Sequence, residues 1–317
     1  MARFHRSRIR SLLCASVVGL PALMAPCTAE PPAAAVAEKP IDVKPGAKPA
    51  GGRVGYTLII FHPEMDAVVK AAGIEGHKTL GGPYLGTWHD LKGAKAIRPG
   101  KLDGLERGEF DMLLLASPHC YPNEETWAGA LGLDSTAAIL CATGLKNNPN
   151  FRLVWQTWPW PRANVNEKKL ELPPASKESA PALRELEKVA DEINAHHGRQ
   201  VMVISPAAEL SFELAQMVAD GKFPGITDPF ELWVNANMWE PGSHVSTLIH
   251  YCNLATMYGV SPIGLKPDFS GIKRGGGKSR NYAFEDLAPI TDEQREILQR
   301  MAWDKVTGYP PSGVKKP

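Results

Sequence analysis

Cysteine is scarce, with five in 317 residues, and Cys14 and Cys27 lie in an N-terminal stretch that reads separately from the rest. The other three, Cys120, Cys141 and Cys252, cannot all pair within one chain, and no Cys-x-x-Cys or Cys/His spacing outlines a zinc knuckle. A Cys120–Cys141 bridge stays open, whereas Cys252 sits in an apolar helical run and reads as a small core residue. Net charge is also nearly absent, at 35 basic against 34 acidic side chains. That balance leaves no electrostatic footprint for nucleic acid or an anionic membrane. No stretch after the amino terminus reaches about eighteen apolar residues, so no membrane span is expected. The run Arg274-Gly275-Gly276-Gly277-Lys278-Ser279 lacks the earlier glycine, the strand and the helix of a phosphate loop. No cofactor and no resident metal are expected.

What is present begins with an export-like leader. Arg3, Arg6, Arg8 and Arg10 form a positive region, residues 11–25 an apolar one, and Cys27-Thr28-Ala29 a small-residue cleavage site. Residues 1–29 are expected to be a signal peptide, which places the mature chain outside the cytoplasm, secreted or periplasmic. Removing them leaves 31 basic and 34 acidic side chains. Residues 30–52 are rich in Pro, Ala and Lys, with too little apolar surface to offset the entropy of ordering, and read as a linker. Residues 53–317 are expected to form one domain, and the overall 44% hydrophobic and 22% charged content suits a globular core.

Within that domain, short apolar runs at 56–61, 111–116, 152–156 and 200–204 predict strands buried on both faces. Helical spacing predicts helices from about 64 to 72, 176 to 197, 206 to 220 and 244 to 258. A last helix is expected from 291 to 306, with Thr291 and Gln294 in capping-box register. Gly198 and Gly259 stand where helices end on glycine. Residues 76–93, rich in Gly, His and aromatics, read as loop. Strands alternating with helices predict an α/β three-layer sandwich with a central parallel sheet. In such sheets the ligand crevice opens beyond the carboxyl ends of the strands, here at His62, Ser117, Pro159 and Ser205.

Several segments carry a family likeness. The run Gly198-Arg199-Gln200-Val201-Met202-Val203-Ile204-Ser205-Pro206 resembles the late strand of secreted SGNH/GDSL-type hydrolases. His244-Val245-Ser246-Thr247-Leu248-Ile249-His250-Tyr251, followed by Tyr258-Gly259-Val260-Ser261-Pro262, is similar to that family's catalytic-histidine helix and its sequel. Echoes occur at residues 71–77 and 144–152, so the likeness is spread over most of 56–265. It implies an SGNH/flavodoxin-like fold, a serine-esterase-like site with His244 as base, and Gly86 at an oxyanion position. Three departures stand against it. No serine occurs between Gly55 and Ala116, where the nucleophile belongs. Ser117-Pro118-His119-Cys120-Tyr121 replaces the Gly-x-Asn-Asp segment. Pro241 occupies the position of the acid, with Glu240 the nearest carboxylate.

A hydroxyl becomes a useful nucleophile only when an oriented imidazole takes its proton. Without the serine, the residues left for chemistry are His62 and Glu64 after the first strand and Glu240 and His244 before the long helix. Gly86 and His119 are candidates for binding the reacting group. Two functions fit this pattern. One is hydrolysis of a small-molecule or glycan ester through a degenerate or atypical site, with a histidine activating water. The other is a catalytically silent module that binds a glycan or another surface ligand through a concave aromatic rim, with Trp88, Tyr121, Trp158, Trp160 or Trp239 exposed. Trp155 is expected in the core.

Overall fold

The computed structural model describes residues 49–57, 62–81, 102–117, 133, 135–157, 162–164, 169–171, 180–234, 241–274, 282–284 and 287–316. All of them belong to the unit Ala37–Pro317. Five parallel strands form its sheet: β1 (Arg53–Thr57), β2 (Lys78–Gly81), β3 (Met112–Ser117), β4 (Arg152–Thr157) and β7 (Met202–Ser205). Their spatial order is β2-β1-β3-β4-β7. Counting only these five, the order is that of a doubly wound flavodoxin-like sheet, whose winding reverses between its first and third strands. Two short antiparallel pairs lie apart from it, β5 (Arg162–Asn164) with β6 (Lys169–Glu171) and β8 (Lys273–Arg274) with β9 (Tyr282–Ala283).

Alternation along the strands builds the layers. In β3, Met112, Leu114 and Ala116 join one core cluster while Leu113 and Leu115 join the other. The first cluster holds α1 (His62–Ala71), α5 (Ala207–Ala219), α6 (Ser243–Tyr258) and α7 (Asp292–Thr307). The second holds α2 (Asp103–Glu106), α3 (Thr136–Asn147) and α4 (Ala180–His197), with Trp155 in its core as expected. The result is an α/β three-layer sandwich with a central parallel sheet. No helix among the described residues is long and apolar enough to cross a membrane.

Local signals explain most element ends. Gly259 caps α6 at φ 64°, and Gly198 follows α4 at φ 65°. The left-handed conformation costs glycine nothing sterically. Both halves of the Thr291/Gln294 capping box form at the start of α7. The differences from expectation are also physical. The first strand begins at Arg53, three residues before its apolar run, because its parallel partners begin early: Arg53 pairs with Lys78 and Val54 with Met112, while residues 58–61 of the expected strand lie outside the described residues. The segment read as loop at 76–93 contains β2, which β1 templates. Helix α3, invisible to the earlier pattern, starts on Ser135, whose side chain accepts from Ala138 N–H at 3.1 Å. Cys141 and Cys252 are both free and buried, and Cys120, the partner considered for Cys141, lies outside the described residues. Burial alone pushes the Cys141 thiol well above its ordinary range.

Candidate active site

Helix α6 lies in the interior, with all of its 16 residues buried. It runs antiparallel to the strands. Near its carboxyl end the Met257 carbonyl accepts from Arg152, the first residue of β4. One turn from that end Asn253 meets Gln156 near the end of β4, and farther up Ser246 meets Glu64, in the first turn of α1. The amino-terminal half of α6 therefore stands at the carboxyl edge of the sheet, where a parallel sheet places its ligand crevice.

The helix buries polar groups that must find partners there. Ser246, His250 and Asn253 recur at helical spacing and share one face. Ser246 Oγ donates to Glu64 Oε2 at 2.6 Å. His250 Nδ1 lies 2.6 Å from the Ser246 carbonyl oxygen and 3.8 Å from Glu64 Oε2. A carbonyl can only accept, so Nδ1 carries a proton and Nε2 is the position at which the neutral ring accepts one. Glu64 and His250 are 0% and 3% exposed, so a charge on one acts on the other with little solvent screening. Farther down, Ser205 Oγ donates to Asn253 Oδ1 at 2.7 Å, and Asn253 Nδ2 donates to Gln156 Oε1 at 2.7 Å. Thr157, the last residue of β4, donates to Glu209 Oε2 at 2.8 Å.

His244 is held in the opposite sense. The Gln294 amide is oriented by backbone groups, its oxygen accepting from Thr291 N–H and its nitrogen donating to the Pro224 carbonyl. That oxygen faces His244 Nε2 at 3.0 Å, so Nε2–H is a donor and holds no lone pair. Nδ1 lies 3.2 Å from Ser243 Oγ, and the ring packs edge-on against Phe223 with centroids 5.7 Å apart. Burial pushes its pKa down, partly offset by the Gln294 hydrogen bond. In a serine-esterase arrangement the base needs the reverse tautomer, with Nε2 open to the nucleophile.

Of the residues singled out from sequence, Glu64 and Ser205 thus stand in the polar seam along α6, and His244 stands on another face of that helix. His62 opens α1, and its side chain lies outside the described residues. Glu240, Gly86 and His119 also lie outside them, as do Trp88, Tyr121, Trp158, Trp160 and Trp239. His250, Ser246, Asn253 and Gln156 were missed. For the three on α6 a signal was present, a polar i, i+4, i+7 row along the helix, whereas Gln156 on β4 carried none. Among the described residues no group of three or more His, Cys, Asp or Glu could hold a metal ion.

No family model matches the sequence, and no curated protein matches it. Among solved structures it is similar to a DUF4886 family protein from Bacteroides uniformis, at 9% identity and a TM-score of 0.47. The match covers 82% of this chain and 95% of that one.

Proposed function

We propose that the protein is an SGNH-like hydrolase of acyl esters, on a small molecule or a glycan, that activates water directly. His250 is the general base and Glu64 the carboxylate that steadies it. The observation that supports this most is the His250 Nδ1 hydrogen bond to the Ser246 carbonyl, with Glu64 Oε2 at 3.8 Å. It turns the ring to the tautomer whose Nε2 takes a proton, as His244 does not. In the reaction, water attacks the ester carbonyl carbon as its proton passes to His250 Nε2. The tetrahedral intermediate then expels the alkoxide, which takes that proton back, leaving acid, alcohol and neutral imidazole. Glu64 offsets the charge of the transient imidazolium. The leader at residues 1–29 belongs to the same proposal, with export before cleavage, and the exported protein's intact mass should begin near Glu30.

A p-nitrophenyl acetate assay on the full chain tests the assignment. His250→Ala should lower kcat/KM by roughly 10²–10⁴-fold, the usual worth of a general base. His244→Ala, checked for folding by its melting curve, should retain turnover. The reverse ranking would restore His244 as base and refute His250. A second reading draws on the depth of the Glu64–His250 pair. A silent glycan-binding module would keep such a pair purely to tie α1 to α6. Wild-type rates no higher than buffer, together with selective retention on a glycan array, would favour that reading.

A further inference from the structure

The seam on α6 contains a hydrogen-bond chain with a fixed direction. It starts at the Ser205 hydroxyl, passes through Asn253, and reaches Gln156 on its oxygen. The Gln156 amide is thereby oriented: Oε1 is taken by Asn253, and Nε2 points its two N–H groups elsewhere. Gln156 is 0% exposed, and its Nε2 has no hydrogen-bond partner among the described residues. Buried donors are nearly always satisfied, because an unmade bond forfeits the hydration the group had in the unfolded chain. An unsatisfied amide, locked by its neighbours at the end of a parallel strand, is therefore an invitation to an acceptor.

Its surroundings define that acceptor. Asn253 and His250 are three residues apart on α6, so their side chains are neighbours on one helix face. The amide bonded to Asn253 and the imidazole of His250 therefore flank the same turn. Glu64 adds a buried carboxylate beside His250, which disfavours an anionic ligand and leaves a neutral carbonyl or hydroxyl oxygen as the fitting group. We infer that the Gln156 side-chain amide is the donor that receives the ester carbonyl oxygen and stabilises it as charge develops in the transition state. This rests on the proposed ester hydrolysis and names its electrostatic component. As water adds, the carbonyl π electrons move onto that oxygen. Gln156 hydrogen-bonds it without giving up a proton, and the electrons return when the alkoxide leaves.

Two measurements on the full chain test the inference. The first is steady-state hydrolysis of p-nitrophenyl acetate by wild type, Gln156→Met and Gln156→Glu. Met removes the donor at similar volume, and Glu keeps an oxygen for Asn253 while replacing the donor. A donor that acts in the transition state predicts a 10²–10³-fold fall in kcat with KM little changed for both. A structural orphan predicts wild-type kcat in both variants, with the melting temperature of Gln156→Met lowered only by the loss of the acceptor for Asn253. The second needs no turnover and no variant: the Gln156 side-chain amide resonances are followed by NMR as acetamide, an unreactive carbonyl analogue, is added. A saturable shift of the Gln156 NH2 pair is expected, and resonances that stay put overturn the assignment. Inactive wild type with a responsive amide would sink the hydrolase reading and keep the donor. Active wild type with equally active Gln156→Met would sink the donor and keep the reading.

Discussion

At the amino edge of the sheet, Arg53 holds Asp111 through both its side chain and its backbone N–H, and Asn148 donates to the same carboxylate at 2.9 Å. His77 Nδ1 meets the Tyr258 hydroxyl at 2.6 Å while its Nε2 lies 3.2 Å from Asp66 Oδ1. Arg152 closes on the Met257 carbonyl, at the end of α6 where a cation suits the helix dipole. At the carboxyl edge, the chain from Ser205 through Asn253 ends on the unsatisfied Gln156 amide, and Glu64 and His250 sit close without a direct hydrogen bond. The same sheet and the same helix supply both edges. One spends its polar groups on each other and ties β1, β3, α1 and α6 together. The other keeps, in the Gln156 amide, a donor that no described residue uses.

If that division is real, substitutions at the two edges should separate turnover from stability. The largest effect belongs to the carboxyl edge, where the fall in ester hydrolysis expected of His250→Ala corresponds to about 3–5 kcal/mol in the barrier. An amino-edge variant that lost turnover as severely while still folded would break the comparison. Next comes Tyr258→Phe. Burial holds the Tyr258 phenol protonated, far above its ordinary range, and His77 Nε2–H faces the Asp66 carboxylate, which can only accept, so Nδ1 accepts from the Tyr258 hydroxyl. Its loss strands a largely buried ring nitrogen and should cost about 1–2 kcal/mol in urea unfolding, with kcat/KM within about two-fold of wild type.

A smaller effect is expected from acid. The hydrogen bond from the Arg53 side chain holds Asp111 below its ordinary value of 3.8, against burial, which pushes it up. The sign follows from proton binding: the unfolded chain protonates Asp111 first, so its contribution is full above 3.8 and is lost as pH falls through the lower folded value. With 43% and 37% of the two side chains exposed, solvent screening limits the term to about 1 kcal/mol or less. Asp111→Asn should lower stability at neutral pH and flatten the acid limb of a urea-midpoint profile. An unchanged limb would show that the pair contributes nothing measurable.

The smallest effect concerns His244, which burial holds below its ordinary value of 6.5 in the folded chain. Unfolded protein binds that proton first, so stability is full above pH 6.5 and declines as pH drops from there toward the folded value. His244→Gln should flatten this part of the profile by a few tenths of a kcal/mol to about 1 kcal/mol. His197 is depressed too, by burial first and His196 second, so the difference between the two proteins is the measurement, not the wild-type curve alone. A profile unchanged by His244→Gln would mean that the ring titrates normally and is less enclosed than its Gln294 and Phe223 contacts indicate.

Local sequence carried the parts of this protein that depend on neighbours along the chain. The Thr291/Gln294 box starts α7, glycines at 198 and 259 end two helices, and short apolar runs mark β3, β4 and β7 within a residue or two. The class of fold follows from that alternation. Elements stabilised mainly by distant partners were harder to read. Strand β2 sits in a glycine-rich stretch and exists because β1 offers it a ladder, and β1 itself starts three residues earlier than its apolar run. Side-chain chemistry was decided later still. A histidine's tautomer depends on what lies opposite each ring nitrogen. For His244 that is an amide fifty residues away, and for His250 a carbonyl one turn back. Glu64 reaches Ser246 across 182 residues only because α1 packs on α6. The sequence by itself determined which residues could do acid–base work, whereas the packing of α6 between the sheet, α1 and α7 decided which of them are oriented to do it.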